Sequence, residues 1–209
     1  MSTPATAHEE NSVSIDWGQT DLYRFFAHIF SAPSRECFDL MASPGTAGQL
    51  CSLWNDLHCP GKWPGFTWFA TFDRYESSFI GVFDVGAPEP PVPLFESAHN
   101  KSRPPQETAL ENTFFHQVLG LKCDYSRAVA DSLVTQLEFL AALRFLQDNP
   151  PTADAAASLA KVKLDFLERH LLSWLTSASK KLDATESTGF PVLMKLLLQF
   201  VRNEMSLDG

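Results

Sequence analysis

Between Gly86 and His99 the chain reads GAPEPPVPLFESAH, and Pro88, Pro90, Pro91 and Pro93 occupy four of six consecutive positions. Proline has no backbone N–H, fixes φ and pushes the preceding residue out of the helical region, so no helix can cross this stretch. It divides the chain into two halves. Directly after the prolines come Leu94, Phe95, Glu96 and Ser97, two apolar and two polar side chains in a segment expected to form no regular element of its own. Such a segment must be held by the rest of the protein. Ordered long loops often carry function, which makes this stretch the first candidate for a working surface.

On either side the apolar spacing is helical. In TDLYRFFAHIF, Leu22, Phe25, Phe26, Ile29 and Phe30 fall at i, i+3, i+4, i+7 and i+8, predicting a helix from about Thr20 that Pro33 ends. A second helix, capped by Ser34, carries Cys37, Phe38, Leu40 and Met41 and stops before Ser43, Pro44 and Gly45. A third has Leu50, Leu53, Trp54 and Leu57 and closes at Cys59, Pro60 and Gly61. Phe66, Trp68, Phe69, Phe72, Tyr75 and Phe79 predict a fourth, which leads into the proline-rich loop; that loop is expected to run without regular structure from Gly81 to Pro105. Beyond it, Leu110, Phe114 and Val118 mark one helix ending at Gly120. Val129, Leu133, Leu137, Leu140 and Leu143 mark another that stops before Asn149. A long one follows from about Asp154, with Leu159, Val162, Phe166, His170, Trp174 and Leu175 facing the core and Lys and Glu on the other side. The last opens with Pro191, favoured at a first helical position, and carries Leu193, Leu196, Leu197, Phe200 and Val201. No strand pattern is present. The expectation is an all-α, single-domain bundle of roughly seven to nine helices with a long Pro-rich central loop. Residues 16–209 form that domain, and residues 1–15, polar and rich in small side chains, form a flexible tail.

The 209 residues are 44% apolar and include 17 Phe and 5 Trp, enough for a substantial core. A formal net charge of −9 repels nucleic-acid phosphates and favours a cationic partner. The N-terminus has no basic, apolar secretory pattern, and no run approaches the ~18 apolar residues that span a bilayer, so a cytoplasmic chain without membrane insertion is expected. Cys37, Cys51, Cys59 and Cys123 form no Cys-x-x-Cys pair and read as buried apolar side chains.

Catalytic and cofactor motifs are few. The chain has no Gly-x-Gly-x-x-Gly, no phosphate loop and no Gly-x-Ser-x-Gly. Glu96-x-x-His99 has the spacing of a helical metal pair, but it is single and sits beside prolines, so no metal and no cofactor are expected. His58 beside Cys59 lacks a second ligand pair. His170 is read as a satisfied core histidine. Asp131 and Glu138, seven residues apart, are read as one face of a helix with Gln136 nearby. Asp131 either lines an acidic groove or anchors a neighbouring loop by accepting backbone hydrogen bonds.

Taken in order, LYRFFAHIFSAP, RYESSFIG, the Pro-rich loop ending in PLFES, DSLVTQLEFLAAL, FLERHLLSWL and a Phe-Pro-started last helix resemble the TorD/DmsD/NarJ family of molybdoenzyme maturation chaperones. PLFES is more similar to the nitrate-reductase-like branch. The resemblance implies a non-enzymatic role: binding the twin-arginine signal peptide, the apo form, or both, of a molybdopterin-dependent oxidoreductase subunit until its cofactor is inserted. It implies a peptide-binding region of Tyr75, Phe79, Pro91, Pro93, Glu96, Ser97 and Asp131, to which Leu94 and Phe95 add apolar cover. Where many members have Asp-His, this chain has Asp131-Ser132. The physical reading agrees, since a basic leader with an apolar continuation calls for acidic residues beside an apolar groove. Two other readings stay open, a helical adaptor for another folded protein and a metal-dependent helical-bundle enzyme, as does pairing of two copies by helix exchange.

Overall fold

A computed structural model of the protein describes residues 18–121 and 129–208, with side chains through 206. The expected tail and Cys123 lie outside the described residues. Nine helices occur among those described, with no strand. They are α1 (Gln19–Ile29), α2 (Arg35–Ala42), α3 (Pro44–Asp56), α4 (Phe72–Phe79, continued by a π-helical turn Ile80–Asp84), α5 (Glu96–His99), α6 (Pro105–Val118), α7 (Leu133–Asp148), α8 (Ala153–Phe166, a π-helical stretch Leu167–Leu172, then Ser173–Asp183) and α9 (Phe190–Asp208).

The boundaries follow local chemistry. The Ser34 hydroxyl accepts the Cys37 N–H at 3.1 Å to cap α2. Thr71 and Thr152 cap α4 and α8 in the same way. Pro44, expected to be a breaker, instead occupies the first turn of α3, where its missing N–H costs nothing. Phe66 to Phe69 are not helical: they cross the surface as a loop and drop their rings onto the core. Val129 precedes α7 rather than belonging to it.

Helix α1 lies along α7, α8 packs against α7 and α9, and the short α5 rests on α6 and α8. The centre is aromatic. Phe190, the first residue of α9, sits among Phe30, Phe69, Tyr75, Phe79 and Phe83, with centroid distances from 4.9 to 6.3 Å. The preceding Gly189 is required there, because a Cβ would run into the Phe69 ring.

The π-helical stretch of α8 has a cause in the spacing. Its buried side chains include Phe166, His170, Trp174, Ala178 and Leu182, a strict repeat of four. On an ideal helix each such step drifts by about 40°, and the wider π turn restores the line. The expectation of charged residues on the outside of α8 fails at Lys163. Its ammonium is buried and lies 3.0 Å from the equally buried Glu204, which also accepts from Gln19 at 2.8 Å and Tyr23 at 3.3 Å.

Helix α6 also departs from expectation. Leu110, Phe114 and Val118 face solvent, and the buried residues are Thr108, Asn112, Phe115 and His116.

Candidate functional site

The proline-rich loop is held by three hydrogen bonds at the start of α7. Ser132 caps that helix by accepting the Thr135 N–H at 3.2 Å, which leaves Asp131 in the turn ahead of it rather than on the helix. Phe95 and Ser132 face each other in an isolated antiparallel bridge. Glu96 N–H donates to the Asp131 carbonyl at 2.9 Å, and Leu133 N–H donates to the Leu94 carbonyl at 2.9 Å. The Asp131 carboxylate then accepts the Ser97 N–H at 3.0 Å. Of the two readings of Asp131, the loop anchor is the one present.

The segment expected to lack regular structure contains one turn of helix, Glu96–His99, and that turn aims Glu96 inward. Glu96 is 2% exposed, and its carboxylate accepts from Gln136 Nε2 at 2.8 Å and Asn112 Nδ2 at 3.0 Å, with His170 Nδ1 at 3.2 Å. Asn112 gives its second proton to the Thr108 carbonyl at 2.9 Å, so His170 donates to Glu96 rather than accepting from Asn112. Gln136 Oε1 accepts the Trp174 indole N–H at 3.1 Å. One carboxylate from the loop thus gathers α6, α7 and α8. His170 is not the satisfied histidine expected: its Nε2 is buried without a hydrogen bond, and the nearest carboxylate oxygen, of Glu111, is 3.9 Å away.

His99 fastens the other side of the turn. Its Nε2–H donates to the Pro93 carbonyl at 2.8 Å, its Nδ1 accepts from the Ser177 hydroxyl at 3.3 Å, and its ring lies 5.2 Å from that of Trp174. Burial pushes its pKa below the ordinary histidine range, keeping it neutral. Among the described residues no group of three or more His, Cys, Asp or Glu side chains could hold a metal ion.

The residues expected to contact a peptide therefore separate. Tyr75 and Phe79 belong to the core: the Tyr75 hydroxyl donates to the Ile29 carbonyl at 3.2 Å, and burial drives its pKa far up. Glu96 and Asp131 are buried and hold the loop, and Pro93 and Leu94 are buried beneath it. Ser97 is half-buried, and Pro91 and Phe95 are exposed. Pro91 borders an open groove of about 570 Å³ that runs between α4 and the turn before α9. The helix lines it with the residues beside Tyr75 and Phe79, namely Arg74, Ser77, Ser78 and Gly81, and the turn with Thr185, Glu186 and Ser187. Sequence reasoning missed Asn112, Trp174 and the capping role of Ser132. The Ser-x-x-Thr pattern at 132–135 was a local signal for the cap; Asn112 offered none.

A family model described as nitrate reductase delta subunit matches residues 66–179, from the loop ahead of α4 through the loop clamp and most of α8. The chain belongs to the nitrate reductase delta subunit family. It is 32% identical over 119 residues to the chlorate reductase assembly chaperone protein of Ideonella dechloratans, covering 56% of this chain and 61% of that one. It is 29% identical over 137 residues to the perchlorate reductase assembly chaperone protein of Dechloromonas aromatica, covering 63% and 60%. It is 30% identical over 120 residues to the selenate reductase assembly chaperone protein of Thauera selenatis, covering 56% and 62%. The chain thus spans about three fifths of the length of these relatives. A solved structure from Archaeoglobus fulgidus, described as a redox enzyme maturation protein, has the same fold with a TM-score of 0.54 at 17% identity, covering 92% of this chain and 99% of that one.

Proposed function

We propose that this member of the delta-subunit family is a cytoplasmic assembly chaperone, without catalytic activity, for a molybdopterin-containing oxidoreductase subunit. It holds the twin-arginine leader and the apo form of that subunit, assists cofactor insertion and prevents early export. The observation that carries this reading is the agreement of three relatives, matched at similar identity and named as assembly chaperones for three different reductases.

A groove beside Pro91 supports the peptide-binding part of this reading. The groove beside Pro91 combines a low wall at Gly81, hydroxyls at Ser77, Ser78 and Ser187 that can meet a peptide backbone, and a carboxylate at Glu186 for a basic side chain. The net charge of −9 attracts a basic leader over distance. Glu96 and Asp131 act as positioning residues, because they fix the loop that carries Pro91 and Phe95.

Co-expression with a candidate molybdoenzyme subunit tests the reading. The tagged chain is expected to recover the cofactor-free subunit and to recover less of it when the leader is deleted. Recovery of no subunit, with normal reductase activity in a strain lacking this chain, contradicts it.

A further inference from the structure

His170 has a carboxylate at each of its ring nitrogens. It lies in the π-helical stretch of α8 and is 1% exposed. Its Nδ1–H donates to Glu96 Oε2 at 3.2 Å, and Nε2, the unprotonated nitrogen of that tautomer, faces Glu111 Oε2 at 3.9 Å. Two acceptors therefore face each other with no proton between them, and Nε2 has no hydrogen bond. The same Glu111 oxygen takes the guanidinium of Arg103, which stands in the turn joining α5 to α6. The Arg103 and Glu111 side chains are 46 and 39% exposed, so Glu111 has room to move inward by the roughly 1 Å that a hydrogen bond from a protonated Nε2 requires.

The charges around the ring come from every neighbouring element. On α5, His99 follows Glu96 but lies against Trp174. On α6, His116 bonds the Asn112 carbonyl. Helix α7 brings the neutral amide of Gln136 to the His170 carbonyl, and its Glu138 lies toward α1. On α9, Lys195 pairs with Asp183 and Glu204 with Lys163. On α8 itself, Arg169 lies over the Phe115 ring and pairs with Asp165 at 3.0 Å. The two carboxylates at the ring nitrogens attract a proton, and Arg103 and Arg169 oppose it.

We propose that His170 is a proton-operated latch on the proline-rich loop. A proton taken from solvent at Nε2 makes the ring an imidazolium. Its Nε2–H then donates to Glu111, which leaves Arg103, and the bond from Nδ1–H to Glu96 becomes charge-assisted at both ends and stronger. Glu96 opens the turn whose first two N–H groups are held by Asp131, so the protonated latch keeps that turn in place. The latch acts on the loop itself, whichever client the loop meets.

Side-chain nitrogen NMR of the full chain across the histidine range, about pH 5.5–8, tests the transfer of Glu111. On acidification a His170 Nε2–H signal is expected to appear, with the Arg103 guanidinium signal moving over the same interval; in Glu111→Gln the Arg103 signal should no longer follow pH. Amide exchange tests the hold on the loop. Burial keeps His99, on the same turn, neutral and makes its protonation act in the opposite sense, so exchange is measured in His99→Gln. There the opening reported by the Ser97 N–H, corrected for the intrinsic rate, should fall by about fivefold as His170 gains its proton, and in His99→Gln, His170→Gln it should not change with pH. A His170 ring that keeps one protonation state across the interval, or that gains its proton while Arg103 stays unmoved, overturns the proposal. So does a Ser97 exchange profile that is the same with and without His170.

Discussion

The Glu96 carboxylate, carried by the proline-rich loop, accepts the Gln136 side-chain amide of α7 at 2.8 Å inside the protein. Replacing Glu96 by Ala would remove one buried acceptor from each of Gln136, Asn112 and His170. Glu96→Ala is expected to lose roughly 2–4 kcal/mol in urea unfolding, and Glu96→Gln, which keeps one acceptor oxygen, distinctly less. An Ala variant as stable as the parent would mean that the carboxylate does not tie the loop down.

The Ser132 hydroxyl caps α7 by accepting the Thr135 N–H. Ser132→Ala should cost about 0.5–2 kcal/mol. Ser132→Asp, which keeps an acceptor at the cap, should restore most of it. A His substitution that proves as stable as Ser would show that the cap contributes little.

Much of this architecture was legible from local pattern. The stripes of α1, α8 and α9 and the Ser34 cap depend on residues within a few positions of one another, and spacing reports them directly. Helix α6 shows the limit. Leu110, Phe114 and Val118 announce an apolar side but not which side faces the interior, and that was decided by Asn112 meeting Glu96, sixteen positions away. The inward turn of Glu96 and the burial of Lys163 against Glu204 likewise depend on partners from other helices. In the candidate site, the loop was recognised by its prolines. The residues that line the groove are the neighbours of those expected, because Tyr75 and Phe79 are the large aromatics that the core takes.

Lys163 and Glu204 form a buried pair 3.0 Å apart. Lys163→Met alone strands a carboxylate in the interior and should cost about 3–5 kcal/mol. Adding Glu204→Leu removes that charge, so the double variant is expected to be more stable than Lys163→Met. Additive losses in chemical denaturation would contradict this coupling.

His99 and His116 both have pKa values lowered by burial. Their unfolded forms therefore take up protons before the folded protein does. Stability should be complete above the ordinary histidine pKa of about 6.5 and should fall as the pH drops from there toward the lowered folded values. Thermal melts of the parent across this range should show that decline, and a His99→Gln, His116→Gln variant should show a shallower one. Identical slopes would exclude the two histidines as its source.

The central claim is that this chain receives a basic leader with an apolar continuation. Calorimetric titration of the chain with the twin-arginine leader peptide of the proposed client subunit, at two salt concentrations, tests it most directly. Affinity in the micromolar range or tighter is expected, weakened by added salt and by replacing both arginines with glutamine. No heat of binding, or an affinity indifferent to salt and to the arginines, would contradict it.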